Sequence, residues 1–134
     1  MDWMKQAEQE LKSYERRRQS LQNTAERIRA LREQMLALDG GDGGLPQRDS
    51  CIAEIERLGH ARDAAARLVG LVERGLASLP APERRALELF YLRRQPGHVQ
   101  RLMEELHLEQ VQVYRIKSAA LRHFTLSLYG VTGR

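Results

Sequence analysis

Apolar residues recur at helical spacing along most of the chain, and no stretch alternates apolar with polar as a half-buried strand does. From roughly Asp2 to Leu38 a heptad-like stripe runs through Met4, Ala7, Leu11, Tyr14, Leu21, Ala25, Ile28 and Met35, with Arg18 and Arg32 as polar interruptions. Trp3, Leu31 and Leu38 lie off that seam and widen the apolar face, which favours more than two helices in contact. From roughly Asp49 to Leu79 the stripe is more regular: Cys51, Ile55, Leu58, Arg62, Ala65, Val69, Val72, Leu76 and Leu79. Steps alternating between four and three keep one seam turned toward a partner helix.

Three breaks punctuate this pattern: GGDGGLP over 40–46, LPAP over 79–82 and QPG over 95–97. Two long helices joined by a short glycine-rich loop are expected to fold back as an antiparallel, coiled-coil-like hairpin, each roughly 45–55 Å long. The expected organisation is therefore a hairpin over 1–79, with its loop at 40–46, and a second helical domain over 80–134. Two readings of the seams stand side by side. Each helix hides its stripe against the other, or the seams also form a homodimer or grip another protein. Arg18, Arg32 and Arg62 are expected to pair with acids across the seam or to extend their charged ends outward.

The second domain opens with Pro82 and Glu83, a proline and an acid where a first helical turn favours both. Ala86, Leu87, Phe90 and Tyr91 are expected to form one face of that helix. A short helix follows Pro96-Gly97, with Val99, Leu102, Met103 and Leu106 inward. After a tight turn at His107-Leu108, a longer helix starts near Glu109, with Val113, Ile116, Ala120, Leu121 and Phe124 inward. Its other face carries Gln110, Val111, Gln112, Tyr114, Arg115, Lys117 and Ser118.

LPAPERRALELFYL followed by VQRLMEELHLEQVQVYRIKSAALRHF resembles region 4 of the bacterial sigma-70 class, including its sigma-like regulators. The likeness rests on Leu79-Pro80, Glu83-Arg84-Arg85, Leu87, Tyr91, Leu102, Leu106, Leu108, Val113, Ile116, Ala120-Leu121-Arg122 and Phe124. The layout, a helical N-terminal half fused to such a unit, is also similar to small prophage-encoded late transcription activators of the RinA or ArpU kind. The resemblance implies an all-α protein whose C-terminal domain is a helix-turn-helix, with the second helix entering the major groove of double-stranded DNA. The base-facing candidates it implies are Gln110, Val111, Tyr114 and Arg115. Glutamine suits adenine, arginine suits guanine and valine meets a thymine methyl. Arg101, Lys117 and Arg122 are the phosphate candidates, which position the protein without specifying sequence. RNA polymerase is a further expected partner.

This chain departs from the family at several positions. His107 stands where the turn usually holds glycine, and a left-handed backbone there is costlier for histidine. Glu109 replaces the usual Ser or Thr cap. Met103 sits where a small residue is frequent, and Gln110 and Tyr114 replace basic contacts. Phe90 stands where a polar or basic residue is common, and is expected to pack on the hairpin or to belong to a protein-facing patch.

Charge adds to the case. The 134 residues carry a net charge of +4. After Glu109 the chain has no acid, while Arg115, Lys117, Arg122 and Arg134 remain. A positive end hints at an anionic partner, most often nucleic acid. Charged residues at 30% and aromatics at only 5% suit exposed helices better than a thick core. No apolar run approaches the ~20 residues of a membrane span, and MDWMKQAEQE lacks the order of a signal peptide, so a cytoplasmic chain without membrane contact is expected. A single cysteine, Cys51, has no internal disulfide partner.

Other chemistries find little support. His60, His98, His107 and His123 show no ligand spacing with another His, Cys or acid on a shared face, His98 and His107 flanking separate helices and His123 lying on a helix end. GGDGG reads as a linker rather than a phosphate loop, and no paired carboxylates stand out. No cofactor, metal or catalytic function is expected. The expected function is sequence-specific DNA binding in transcription regulation. The rival is a helical interaction or assembly protein, such as a phage packaging or scaffold component, using the same helices against protein.

Overall fold

The computed structural model describes residues 1–38 and 44–133. The fold is all-α, with no strand among the described residues. Helix α1 spans Trp3–Leu38, α2 Gly44–Ala77, α3 Ala81–Leu87, α4 His98–Leu106 and α5 Gln110–Tyr129; a π-helical turn, Glu88–Leu92, continues from α3. Asp2 caps α1, its Oδ1 accepting the Lys5 N–H at 3.1 Å. Most of the glycine-rich joint lies outside the described residues. Its end does not: Gly44, Leu45 and Pro46 form the first turn of α2, so that helix begins before Asp49. Proline is tolerated there because a first-turn N–H has no partner within the helix.

The chain packs as two compact units, residues 1–15 with 69–134, and residues 16–68. These units cut across the two long helices.

In the unit of residues 16–68, Ile28, Leu31 and Cys51 are buried. Arg27 Nη2 meets Glu54 Oε1 at 3.4 Å, and Leu31 and Gln34 line one groove with Gln47 and Cys51. Higher numbers on α1 thus face lower numbers on α2. Leu31 belongs to this contact as fully as the seam residue Ile28. Arg62 pairs with its neighbour Asp63 at 3.5 Å.

The other unit has two apolar clusters. One gathers Ala7 and Leu11 from α1, Val72 and Leu76 from α2, then Leu79, Leu87 and the α5 residues Ala120, Leu121 and Phe124. The first turns of α1 and the last turns of α2 therefore share a core with α5. Gly75 permits this closeness: a Cβ there would stand 2.8 Å from Phe124 Cε1 and 3.1 Å from Leu128 Cδ2. Trp3 packs against Tyr129 with ring centroids 4.9 Å apart. The second cluster joins Ala86, Leu89, Phe90, Leu102 and Val113 and lies under α4 and α5.

The sequence pattern placed Ala86, Leu87, Phe90 and Tyr91 on one face, and the structure divides them. Ala86 and Phe90 enter the second cluster, Leu87 the first, and Tyr91 touches both. Ala86 and Phe90, four apart, share a face, while Leu87 is turned about 100° from Ala86, as in any α-helix. A π turn follows α3, the Arg93 N–H donating to Glu88 O at 2.7 Å, five residues back. Phe90 packs under α4 and α5 rather than on the long helices.

Candidate nucleic-acid interface

The α4–α5 pair is joined by three residues, His107, Leu108 and Glu109. His107 closes α4 with φ 57° and ψ 48°, the left-handed conformation, and is the one non-glycine residue with positive φ among the described residues. The Leu108 N–H then donates to Met103 O at 3.0 Å, satisfying a carbonyl at the helix end. His107 therefore takes the backbone state that glycine would supply. Glu109 is extended and starts α5 in a capping box, its N–H donating to Gln112 Oε1 at 2.9 Å. Glutamate alone is a poor cap, and Gln112, three residues on, makes good the deficit. Gln112 is thereby engaged at the helix start.

Leu102 and Val113 are buried beneath the pair, with Met103, Leu106, Leu108 and Ile116 half-buried around them. Met103 fills space in this cluster that a small residue would leave open. α4 is also fastened from the side. Arg85 donates to both oxygens of Glu105, Nε to Oε2 at 2.8 Å and Nη2 to Oε1 at 2.9 Å, and Nη1 reaches Glu88 Oε2 at 3.2 Å. A two-pronged contact of this kind fixes geometry as well as charge. The hydrogen bonds from Arg85, reinforced by Arg101, hold the Glu105 carboxyl at about 2, below its ordinary value.

Of the base-facing candidates, Gln110, Val111, Tyr114 and Arg115 are all exposed, Val111 at 60% and Tyr114 at 44%. Val111, Tyr114 and Arg115 share one shallow groove with Ser118, Ala119 and Arg122. Arg122 thus joins the base-facing candidates on a continuous stripe, set by steps of three and four along α5.

The other two phosphate candidates are placed differently. Arg101 lies on α4, where its Nε is bound to Glu105 Oε1 at 3.0 Å. Lys117 is half-buried, its Nζ 5.2 Å from the centroid of the Phe90 ring and 5.6 Å from that of Tyr91. Arg93 and Arg94, exposed on the link before α4, were not singled out from the sequence, although the adjacent pair of arginines is the signal for them.

The histidines occupy separate places. His98 and His107 bound the same short helix, α4, rather than separate ones. His123 lies within α5 and meets Glu83 Oε1 through Nδ1, a contact hidden by 40 residues of separation. No group of three His, Cys, Asp or Glu side chains that would hold a metal occurs among the described residues.

No protein-family model, curated protein or solved structure matches this chain. Among the described residues, no helix is long and apolar enough to cross a membrane. What α5 offers a partner is a cationic, partly apolar stripe. Arginine, tyrosine and valine together can serve base edges, thymine methyls and phosphates.

Proposed function

We propose that this chain is a cytoplasmic, sequence-specific DNA-binding regulator of transcription, of sigma region 4-like type and phage or prophage origin. The observation that carries the reading is the exposed stripe Val111–Tyr114–Arg115–Ser118–Arg122, on a helix without a single acid. It follows a three-residue turn in which His107 is left-handed. Such a helix fits the major groove, with Gln110, Val111, Tyr114 and Arg115 toward base edges and Arg122 toward phosphate. Lys117 would reach phosphate by leaving the Phe90 and Tyr91 rings, and Arg101 by sharing or breaking its bond to Glu105. RNA polymerase is the proposed protein partner. Pairing of two copies through the N-terminal helices would set two α5 helices on half-sites about one helical turn apart.

Selection from a random duplex pool tests this reading and should return an enriched sequence. Neutralising two or three phosphates predicts roughly 10- to 40-fold weaker binding as salt rises about fourfold. Absence of enrichment, or binding indifferent to salt, would overturn the reading. The exposed apolar side chains of Val111 and Leu126 favour the alternative, an assembly protein that uses α5 against another protein. Salt-insensitive association with protein and none with DNA is the outcome expected of it.

A further inference from the structure

Phe90, in the π turn, lies beneath the first two turns of α5 and is only 8% exposed. Tyr114 meets Phe90 edge-on, with centroids 5.7 Å apart and planes at 63°. One turn further along α5, the Lys117 ammonium lies 5.2 Å from the same ring centre. His98, the first residue of α4, closes another side at 4.7 Å and 83°. Phe90 is thus a buried ring held by both helices of the pair, and Tyr114 is the exposed candidate that leans on it.

We infer that Phe90 is a positioning residue for sequence preference: its ring fixes the direction in which Tyr114 leaves α5, and with it the base pairs that Tyr114 favours. The inference rests on the DNA-binding reading above and adds a residue that touches no base itself. A tyrosine side chain has few rotamers, and an edge-to-face neighbour selects among them. Without that neighbour the exposed Tyr114 ring samples several directions, and its discrimination is averaged away while the phosphate contacts persist.

The test compares base-pair preference, by selection and by competition, in the full chain and in Phe90→Met, Phe90→Tyr and Tyr114→Ala. Phe90→Met keeps the volume and removes the ring. It should lose about three- to tenfold discrimination at the positions that Tyr114→Ala also affects, with an unchanged salt slope. Phe90→Tyr keeps the ring and should keep the preference. On the Tyr114→Ala background, Phe90→Met should cost no further discrimination. A merely structural role would instead lower affinity for all sequences alike, with or without Tyr114.

Wild-type preference in Phe90→Met, or an equal loss on both backgrounds, overturns this inference and leaves the DNA-binding reading standing. Failure of the unaltered chain to select any sequence overturns both. Proton NMR of the unaltered chain provides a check independent of the variants' folding. It should show Phe90–Tyr114 ring contacts and one dominant Tyr114 rotamer, and their absence overturns the inference.

Discussion

The Tyr91 hydroxyl donates to Glu8 Oε2 over 2.8 Å, joining the π turn to the second turn of α1 across 83 residues of sequence. Burial first, and then this bond, push the phenol well above its ordinary value. The folded chain therefore prefers the neutral phenol. The stability this gives is complete below the unfolded tyrosine's range, about pH 10, and is lost as the pH climbs from there toward the folded value. Removing the hydroxyl in Tyr91→Phe should cost about 1–2 kcal/mol at neutral pH by leaving Glu8 without this donor. It should also flatten the alkaline fall in stability. Urea unfolding followed by circular dichroism at pH 7, 9 and 10.5 checks both, and the same alkaline slope in Tyr91→Phe would refute the assignment.

Gly75 and Gly59 sit in the same helix and should respond oppositely to alanine. A Cβ at Gly75 would press on the Phe124 ring at 2.8 Å, and Phe124 is fully buried. The overlap should cost ~1–3 kcal/mol, more than the ~1 kcal/mol that alanine adds to an ordinary helix position. A Cβ at Gly59 would meet nothing within 4 Å, so Gly59→Ala should gain roughly 0.5–1 kcal/mol. Thermal melts of the two variants decide the matter, and a stabilised Gly75→Ala would mean that α2 and α5 stand further apart than described.

Glu105 gives the acid side of the pH profile. Arg85 is its main partner and holds its carboxyl at about 2. A lowered carboxyl stabilises the fold above the unfolded value and loses that contribution as pH falls toward the folded one. The window therefore runs from about pH 4.5 down to about 2. Glu105→Gln should weaken the attachment of α4 to α3 at neutral pH and reduce the loss of stability between pH 5 and pH 3. Denaturant midpoints across that range provide the comparison.

His107 offers a substitution of the opposite sign. At φ 57° a side chain strains the backbone, and glycine does not. His107→Gly should stabilise by roughly 0.5–1 kcal/mol. His107→Val, β-branched in the same state, should destabilise by more than that. If calorimetry finds both variants equal to wild type, the turn is not left-handed in solution.

The all-α class was legible because the repeat is long and regular. On the second seam, every position from Cys51 to Leu79 is buried or half-buried. His107 was legible through the resemblance, since its place in the turn demanded a particular backbone. Phe90 was misplaced because the pattern does not say what each side of a helix meets: Ala86 and Phe90 face α4 and α5, and Leu87 faces the long helices. Leu31 lay one step off the seam and is nevertheless buried, because a helix face is wider than a single stripe. Glu8–Tyr91, Glu83–His123 and Gly75–Phe124 depend on which elements meet, which one sequence does not disclose. Helical spacing put Val111, Tyr114, Arg115 and Ser118 together on the outer face of α5, but it also put the half-buried Lys117 there and left Arg122 out. The binding of Arg101 to Glu105 did not follow, since arginine and glutamate four apart on a helix pair in some settings and face solvent in others.

On the proposed reading, Arg115 and Arg122 line one groove and should do different work. Arg115 lies in the second turn of α5, near the end that enters the groove first, and is assigned to a base edge. Arg122, two turns further on, is assigned to phosphate. Arg115→Ala should therefore cost ~1–3 kcal/mol on the preferred sequence and much less on others, relaxing choice at one base pair. Arg122→Ala should weaken all duplexes alike and lower the salt slope by about one. Both residues are exposed, so neither change should disturb folding, and melting curves can verify that. Anisotropy titrations of selected and scrambled duplexes at two salt concentrations separate the two effects. Equal binding by wild type and both variants would mean that α5 does not lie in the groove, and the regulator reading would fall with it.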